Sequence, residues 1–278
     1  MNFLETAVLG VVNLAFITLL IASAVIYPRT VLRMRRGGTA RVSTDNIGPG
    51  ELVLALGFVG WFLLFTVGEV LMQGQVASEA STTIPVEAIW FNLIITCGLL
   101  GLLLGVLKAR GHQLIQLFGL NRVSFRQAVT GSVIWILLAY PLVMLSLGLV
   151  VFLIGEPPAP QPVLEFFMQA DGLEKKYLLG FTAVVAAPVF EEIVFRGFLY
   201  PVFKRFTGAL VGAMLSALLF SMVHVYLPAV LAFFVLALCL TVVYERTGSI
   251  WLPIGMHMIF NGITLVLTLV APEALTGS

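Results

Sequence analysis

The stretch that decides the fold reads Pro188-Val189-Phe190-Glu191-Glu192-Ile193-Val194-Phe195-Arg196-Gly197. It places two adjacent carboxylates and an arginine inside a run hydrophobic enough to cross a membrane. An ionised side chain near a bilayer centre costs roughly 2.5–3.5 kcal/mol even on the most lenient scale, so such residues are usually paired and functional. On a helix Glu192 and Arg196 share a face, whereas Glu191 is rotated by about 100° and has no partner in its own helix. The stretch therefore predicts one structural ion pair and one free, working carboxylate.

The composition around this stretch is that of a polytopic membrane protein. Of the 278 residues, 60% are hydrophobic and 10% are charged, whereas a soluble domain carries about 25% charged residues. Mean hydropathy is +1.06. The net charge of +1 gives no case for a nucleic-acid partner. Cys97 and Cys239 both fall within apolar runs, so no disulfide framework is implied.

Apolar windows of about 20 residues predict an all-α, polytopic transmembrane helix bundle of about eight spans. The windows lie near residues 4–27, 51–73, 88–107, 128–155, 178–200, 208–226, 228–245 and 250–271. A proline-rich loop, 156–162, divides the chain, because every candidate catalytic residue follows it.

The basic residues predict the orientation of these spans. Twelve of the fifteen Lys and Arg fall on one side of an eight-span arrangement. The positive-inside rule then places the basic loops in the cytoplasm and both termini outside. We expect an integral, multi-pass protein of a prokaryotic plasma or inner membrane, with lipid as a partner. The Arg-rich loop 28–50 either lies against anionic headgroups or only sets topology, and the second interpretation is favoured.

Three further polar side chains lie in apolar helices of the C-terminal half. His224 is near the end of the sixth window, and His257 and Asn261 are four residues apart on one face of the last. Counted from the ends of the expected spans, His224 would lie about 24 Å and Glu191 only about 13 Å above the cytoplasmic surface. Despite that mismatch, we expect the four side chains to meet. His112, in a basic loop, is interpreted as solvated surface.

Together these residues have the inventory of a hydrolytic site. Glu191 with His224 would hold and activate a water, and His257 with Asn261 would form an oxyanion hole. Glu192 paired with Arg196 would keep its helix in register. The alternative is structural polar packing, because a single intramembrane His or Asn often only joins neighbouring helices.

A zinc site is the competing chemistry. Glu191, His224 and His257 would supply a His₂Glu ligand set with a water in the fourth position. The chain lacks the His-Glu-x-x-His spacing that puts such ligands on one helix, and Asn is an uncommon ligand for zinc. No cofactor is therefore favoured, and zinc remains the alternative.

In these motifs the chain resembles the CPBP family (CAAX proteases and bacteriocin-processing enzymes), also called the Abi family and related to the Rce1-type CAAX prenyl proteases. The family pattern is Glu-Glu-x-x-x-Arg, then Phe-x-x-x-His, then His-x-x-x-Asn on successive membrane helices. It reads here as Glu191-Glu192-Ile193-Val194-Phe195-Arg196, Phe220 with His224, and His257 with Asn261. The resemblance covers roughly 175–270.

The resemblance implies an intramembrane endopeptidase with its catalytic core in the last four spans. The expected units are 1–160, N-terminal spans of unknown role, and 175–271, a catalytic helix bundle. Relatives have been described both as metalloproteases and as metal-free glutamate proteases. The implied substrate is a membrane-associated, prenylated or hydrophobic peptide. A catalytically silent immunity or scaffold protein is the alternative. A proton-coupled transporter is disfavoured, because the two halves show no paired broken segments.

Overall fold

The structure is a computed structural model that describes residues 3–35, 41–76, 85–155 and 162–270. Within those ranges every regular element is helical, which confirms the expected all-α class. The helices are α1 (Phe3–Arg35), α2 (Pro49–Val76), α3 (Val86–Ala109), α4 (Leu114–Leu117), α5 (Phe125–Ile154), α6 (Pro162–Gln169), α7 (Leu173–Thr207), α8 (Ala209–Met222), α9 (Val230–Thr247) and α10 (Trp251–Val270).

Seven of the described helices are long and apolar enough to cross a membrane: α1, α2, α3, α5, α7, α9 and α10. The sixth expected span, 208–226, is instead the 14-residue helix α8, which is about 21 Å long against a hydrocarbon core of about 30 Å. It ends early because the chain turns at Val223 and His224 and then enters a 3₁₀ turn at Leu227–Ala229. The chain is an integral membrane protein with close to the expected number of spans.

Helix α7 carries the acid pair and is not uniformly α-helical. Two π-helical segments, Thr182–Ala186 and Ile193–Leu199, flank the six-residue α segment Ala187–Glu192. Wider turns of this kind shift the angular position of the residues that follow them and are frequent at functional sites. The two carboxylates therefore sit between two irregular segments of one long helix.

Helices α7 and α8 form a tight antiparallel hairpin. Gly208 makes the turn with a φ of 85°, a conformation that glycine adopts without steric cost. Gly212 then lies against the α7 backbone, where a Cβ would come within 2.6 Å of the Lys204 nitrogen. Larger residues at this position would push the two helices apart, so glycine permits the close approach.

Helix α9 is the centre of the bundle. In its most apolar 18-residue window, 61% of the residues are buried, whereas the shares in the corresponding windows of α1 and α2 are 6% and 11%. Helix α9 packs against α1, α5, α8 and α10, and one hydrophobic cluster includes residues from both halves of the chain. Residues 156–161, most of the proline-rich loop, lie outside the described ranges, and the division into units 1–160 and 175–271 stays a prediction.

His112 is not the solvated surface residue that the sequence suggested. It is only 8% exposed, and its Nε2 lies 3.1 Å from Glu51 Oε1. The same oxygen accepts a 2.6 Å hydrogen bond from Arg110 Nε. The interpretation was wrong because the first turn of α2 packs against the loop after α3, a contact between distant segments that local composition does not reveal.

Candidate active site

The candidate catalytic side chains come from three elements that converge. Glu191 lies on α7, His224 in the turn after α8, and His257 on α10. Glu191 Oε2 is 3.8 Å from His257 Nε2 and 4.0 Å from His224 Nε2. The expected meeting of the acid with both imidazoles is therefore observed.

The difference in depth between Glu191 and His224 that the sequence predicted is not observed, because the predicted end of the fifth span was wrong. The fifth span was expected to end at residue 200, but α7 continues to Thr207. Glu191 and His224 are then nearly equidistant in sequence from the hairpin turn at Gly208. Pairing across the hairpin agrees, since Gly212 lies against Lys204, and each is four residues from Gly208. The acid and the imidazole thus reach the same level.

Glu192 is fully buried and joins the ion pair to the catalytic histidine candidate. Its Oε1 accepts a 2.8 Å hydrogen bond from Arg196 Nη1, which is the i,i+4 pair expected from the sequence. The same oxygen lies 2.8 Å from His257 Nδ1. Because an ionised carboxylate only accepts hydrogen bonds, Nδ1 is the donor, and Nε2 is left facing Glu191. Sequence reasoning missed this second contact, which depends on the packing of α7 against α10.

His224 is oriented in a similar way by a backbone group. Its Nδ1 lies 2.7 Å from the Phe220 carbonyl oxygen, so Nδ1 donates and Nε2 is directed to the Glu191 side. The following residue, Val225, has a φ of 45°, a strained conformation for a β-branched residue that is typical of functional sites. The His224 imidazole is therefore positioned by the turn after α8 and not by a continuation of that helix.

Phe220 is the packing centre of the site. Its ring is fully buried and lies 4.7 Å from the His224 ring and 5.7 Å from the His257 ring, measured between centroids. The Arg196 guanidinium carbon lies 4.4 Å above the same ring. Both imidazoles and the buried cation are thus packed around one aromatic ring.

Asn261 lines the same cavity but is partly engaged. Its Nδ2 donates a 2.8 Å hydrogen bond to the Ala183 carbonyl in the first π segment of α7. One of the two amide hydrogens is therefore used to join α10 to α7. The role expected from the sequence, donation to an oxyanion through the other amide hydrogen, stays a prediction.

Two cavities reach Glu191. The catalytic cavity has a volume of about 250 Å³ and contains the acid, both histidines and Asn261. The second, which we call the α2–α3 cavity, has a volume of about 350 Å³. The Glu191 side chain is 22% exposed, whereas that of Glu192 is 0% exposed. Among the described residues, Glu191 Oε2 has no hydrogen-bond partner.

The donor types suit zinc, but the spacing does not. Two Nε2 atoms whose Nδ1 atoms are fixed, together with a carboxylate oxygen, form a common zinc ligand set. Tetrahedral bonds of about 2.0–2.1 Å would hold these atoms about 3.3–3.4 Å apart, against the observed 3.8 and 4.0 Å. No group of three or more His, Cys, Asp or Glu in the described ranges is close enough to hold a metal. The arrangement therefore does not fit a tetrahedral zinc ion.

A second buried charged cluster was missed by sequence reasoning. Glu245 Oε2 accepts a 2.8 Å hydrogen bond from the Tyr200 hydroxyl, and Oε1 accepts one of 2.7 Å from Lys204 Nζ. Lys204 also donates to the Val42 carbonyl at 2.8 Å. Lys204 was counted only as a topology determinant. The i,i+4 spacing of Tyr200 and Lys204 was the available signal, but their partner lies on another helix.

Comparisons with known proteins found one matching family and one curated relative. Residues 174–263 match the family described as type II CAAX prenyl endopeptidase Rce1-like. A curated protein of Bacillus subtilis strain 168, named "Putative membrane peptidase YdiL", is 25% identical over 145 residues. That alignment covers 50% of this chain and 57% of that relative. No solved structure shows a significant match.

The matched region contains the acid pair, both histidine candidates and Asn261. The resemblance expected from the three ordered motifs is therefore confirmed: residues 174–263 match the type II CAAX prenyl endopeptidase Rce1-like family.

Proposed function

We propose that this protein is an intramembrane endopeptidase in which Glu191 is the general base. The observation that carries the proposal is the carboxylate oxygen of Glu191, which lacks a partner among the described residues and faces the Nε2 atoms of His224 and His257. A carboxylate removed from water is costly unless it is used or paired. The family match of residues 174–263 supports the same reaction class.

The spacing suits a water molecule between the acid and His224. Hydrogen bonds of about 2.8 Å from one water to two acceptors span a separation of 4.0 Å with an angle near 90° at the oxygen. Glu191 Oε2 and His224 Nε2 would then accept the two hydrogens, leaving a lone pair for the substrate carbonyl. Glu191 would take one proton during attack and pass it to the leaving amine when the C–N bond breaks.

His257 and Asn261 would stabilise the oxyanion of the tetrahedral intermediate. A protonated His257 would donate through Nε2, while its Nδ1 stays bonded to Glu192. With ionised Glu191, Glu192 and Arg196, that protonation state makes the cluster electrically neutral, which low-dielectric surroundings favour. The free amide hydrogen of Asn261 would be the second donor.

The substrate we propose is a membrane-associated or hydrophobic peptide, with or without a lipid attached, entering from the bilayer or its surface. The reaction we propose uses no metal ion, since the ligand spacing does not match zinc. The basic loops are proposed to face the cytoplasm, following the positive-inside rule. Membrane lipid is the other expected partner, and the charge gives no reason for a nucleic acid.

The test is cleavage of a membrane-peptide library by the purified full chain in liposomes. Glu191→Gln keeps the shape of the side chain and removes the base, so we expect at least a hundredfold loss of cleavage rate and an unchanged unfolding temperature. Glu87→Gln, at an exposed position in the first turn of α3, is the matched control and should cleave normally. A chelator should have no effect.

Full cleavage by Glu191→Gln would contradict the proposal. If the wild type cleaves nothing and Glu191→Gln performs every cellular role of the wild type, the immunity or scaffold function is favoured instead. Loss of activity with chelator, restored by zinc, would overturn the metal-free mechanism alone.

A further inference from the structure

Thr182 differs from most threonines in the helices of this protein. Helical threonine usually donates its hydroxyl to the carbonyl one turn earlier. Eight threonines do so here: Thr18, Thr30, Thr130, Thr207, Thr241, Thr247, Thr264 and Thr268. Thr182 Oγ1 is buried and has no hydrogen-bond partner among the described residues. Its hydroxyl is thus left available for another group.

The local backbone differs at Thr182. Thr182 is the first residue of a π-helical segment, and its N–H is shared between the carbonyls of Leu178 and Leu179. The usual one-turn geometry is therefore altered where the hydroxyl would otherwise bond. Because a buried hydroxyl without a partner is costly, a bound group that restores the hydrogen bond is favoured at this position.

Thr182 also lies where the two cavities meet. The catalytic cavity and the α2–α3 cavity share three lining residues, Thr182, Ala187 and Glu191. Thr182 and Glu191, each with a buried oxygen that lacks a hydrogen-bond partner among the described residues, therefore lie on the boundary that the two cavities share. A peptide that crosses this boundary would contact both residues.

The α2–α3 cavity has the character of a site for an apolar group. Helices α2 and α3 supply most of its wall, and α7 supplies the remainder, apart from one residue of the turn after α8. Its aromatic lining residues are Trp61, Phe62, Phe65, Phe190 and Phe195. Its volume of about 350 Å³ falls at the lower end of the range for ligand pockets, about 300–1,000 Å³. The N-terminal spans thereby contribute directly to the surroundings of Glu191.

We infer that the substrate peptide passes from the catalytic cavity into the α2–α3 cavity, with the Thr182 hydroxyl hydrogen-bonded to its backbone beside the scissile bond. The α2–α3 cavity would hold an apolar side chain of the peptide on that side of the cut. This inference rests on the proposed endopeptidase function. An extended peptide in a bilayer has backbone N–H and C=O groups that need partners, and a hydroxyl can both donate and accept.

The hydroxyl is tested with Thr182→Val, which keeps the shape and removes the hydrogen bond. One neutral hydrogen bond corresponds to about a three- to tenfold change, so kcat/KM should fall by that factor. Thr182→Ser should restore most of the loss. Thr66→Val is the matched control, because Thr66 also has a buried hydroxyl without a partner among the described residues but lines neither cavity. It should cleave like the wild type.

The apolar site is tested with Ala186→Phe, which narrows the α2–α3 cavity without adding to the catalytic one. On a peptide series that varies one position beside the cut, this variant should lose at least tenfold on large apolar residues and keep activity on alanine. Val185→Phe is the control, since Val185 faces a groove bordered by α5 and α10 and lines neither cavity. Its preference should match that of the wild type.

The outcomes distinguish a failure of this inference from a failure of the proposed endopeptidase function. Cleavage that needs Glu191 but is unchanged in rate and preference by Thr182→Val and Ala186→Phe overturns the inference alone. Cleavage that persists in Glu191→Gln, or is absent in the wild type, overturns the proposed function and the inference with it. A shifted preference in Ala186→Phe together with rescue by Thr182→Ser supports both parts.

Discussion

Two buried charged clusters lie along α7, and they differ in how completely their polar atoms are bonded. In the structural cluster, both carboxylate oxygens of Glu245 accept hydrogen bonds, from Tyr200 and Lys204. The acid–imidazole cluster is formed by Glu191, Glu192, Arg196, His224 and His257. Three of its buried atoms lack hydrogen-bond partners among the described residues. They are Glu191 Oε2, Glu192 Oε2 and Arg196 Nε.

This difference distinguishes charges that are buried for stability from charges that are buried for catalysis or binding. Both clusters combine a buried Glu with a cation on α7, so burial alone does not distinguish them. Only the acid–imidazole cluster borders a cavity of about 250 Å³ and keeps a carboxylate oxygen unsatisfied there. A satisfied cluster stabilises helix contacts, whereas an unsatisfied one beside a cavity is arranged to bind another molecule.

Glu192 joins the buried ion pair to the catalytic site, so Glu192→Gln should have the largest effect on stability and activity together. Glu192→Gln leaves the fully buried Arg196 without its counter-ion, and removal of one partner of a buried pair costs about 3–5 kcal/mol. The variant should also lose activity in the molecules that remain folded, because His257 Nδ1 loses its charged acceptor. Unfolding in detergent and cleavage per folded molecule measure the two effects.

Glu192→Gln with wild-type stability would show that the pair is not the buried contact described. Normal cleavage by its folded fraction would remove Glu192 from the orientation of His257. Glu245→Gln serves as the reference for a loss of buried charge away from the cavity.

The structural cluster should respond in stability alone. Glu245→Gln weakens the hydrogen bonds from Tyr200 and Lys204, and bonds to charged groups are worth about 1.5–3 kcal/mol each. We expect an unfolding free energy lower by about 2–4 kcal/mol and an unchanged cleavage rate per folded molecule. A specific loss of catalysis in this variant would erase the distinction between the clusters.

A third ion pair should have the smallest effect. Arg110 donates to Glu51 at 2.6 Å from a side chain that is 44% exposed, so water competes for this pair. Glu51 also accepts a hydrogen bond from the Gly48 N–H and lies 3.1 Å from His112 Nε2, so it keeps partners when Arg110 is lost. Glu51 raises the pKa of the Arg110 guanidinium, mainly through this hydrogen bond, so the pair stays charged at any physiological pH. Arg110→Gln should therefore lower the unfolding temperature by less than Glu245→Gln does and leave cleavage unchanged, measured at pH 7. A larger loss of stability would mean that exposure does not rank these pairs.

Much of the site was accessible from sequence because its signals are local. The i,i+4 spacing of Glu192 with Arg196 and the ordered motifs on separate helices predicted which side chains meet. What the sequence did not reveal depends on packing between distant segments: the contact of Glu192 with His257, the burial of His112, and the partners of Glu245. The length of α7 was also missed, because its last turns are less apolar than a hydropathy window requires.

The most direct test compares Glu191→Gln with Glu245→Gln in one experiment, measuring cleavage rate per folded molecule beside unfolding temperature. The account predicts opposite patterns. Glu191→Gln should keep its stability and lose at least a hundredfold in rate, whereas Glu245→Gln should lose stability and keep its rate. Equal loss of rate in both variants, or normal cleavage by Glu191→Gln, would contradict the assignment of Glu191 as the working carboxylate.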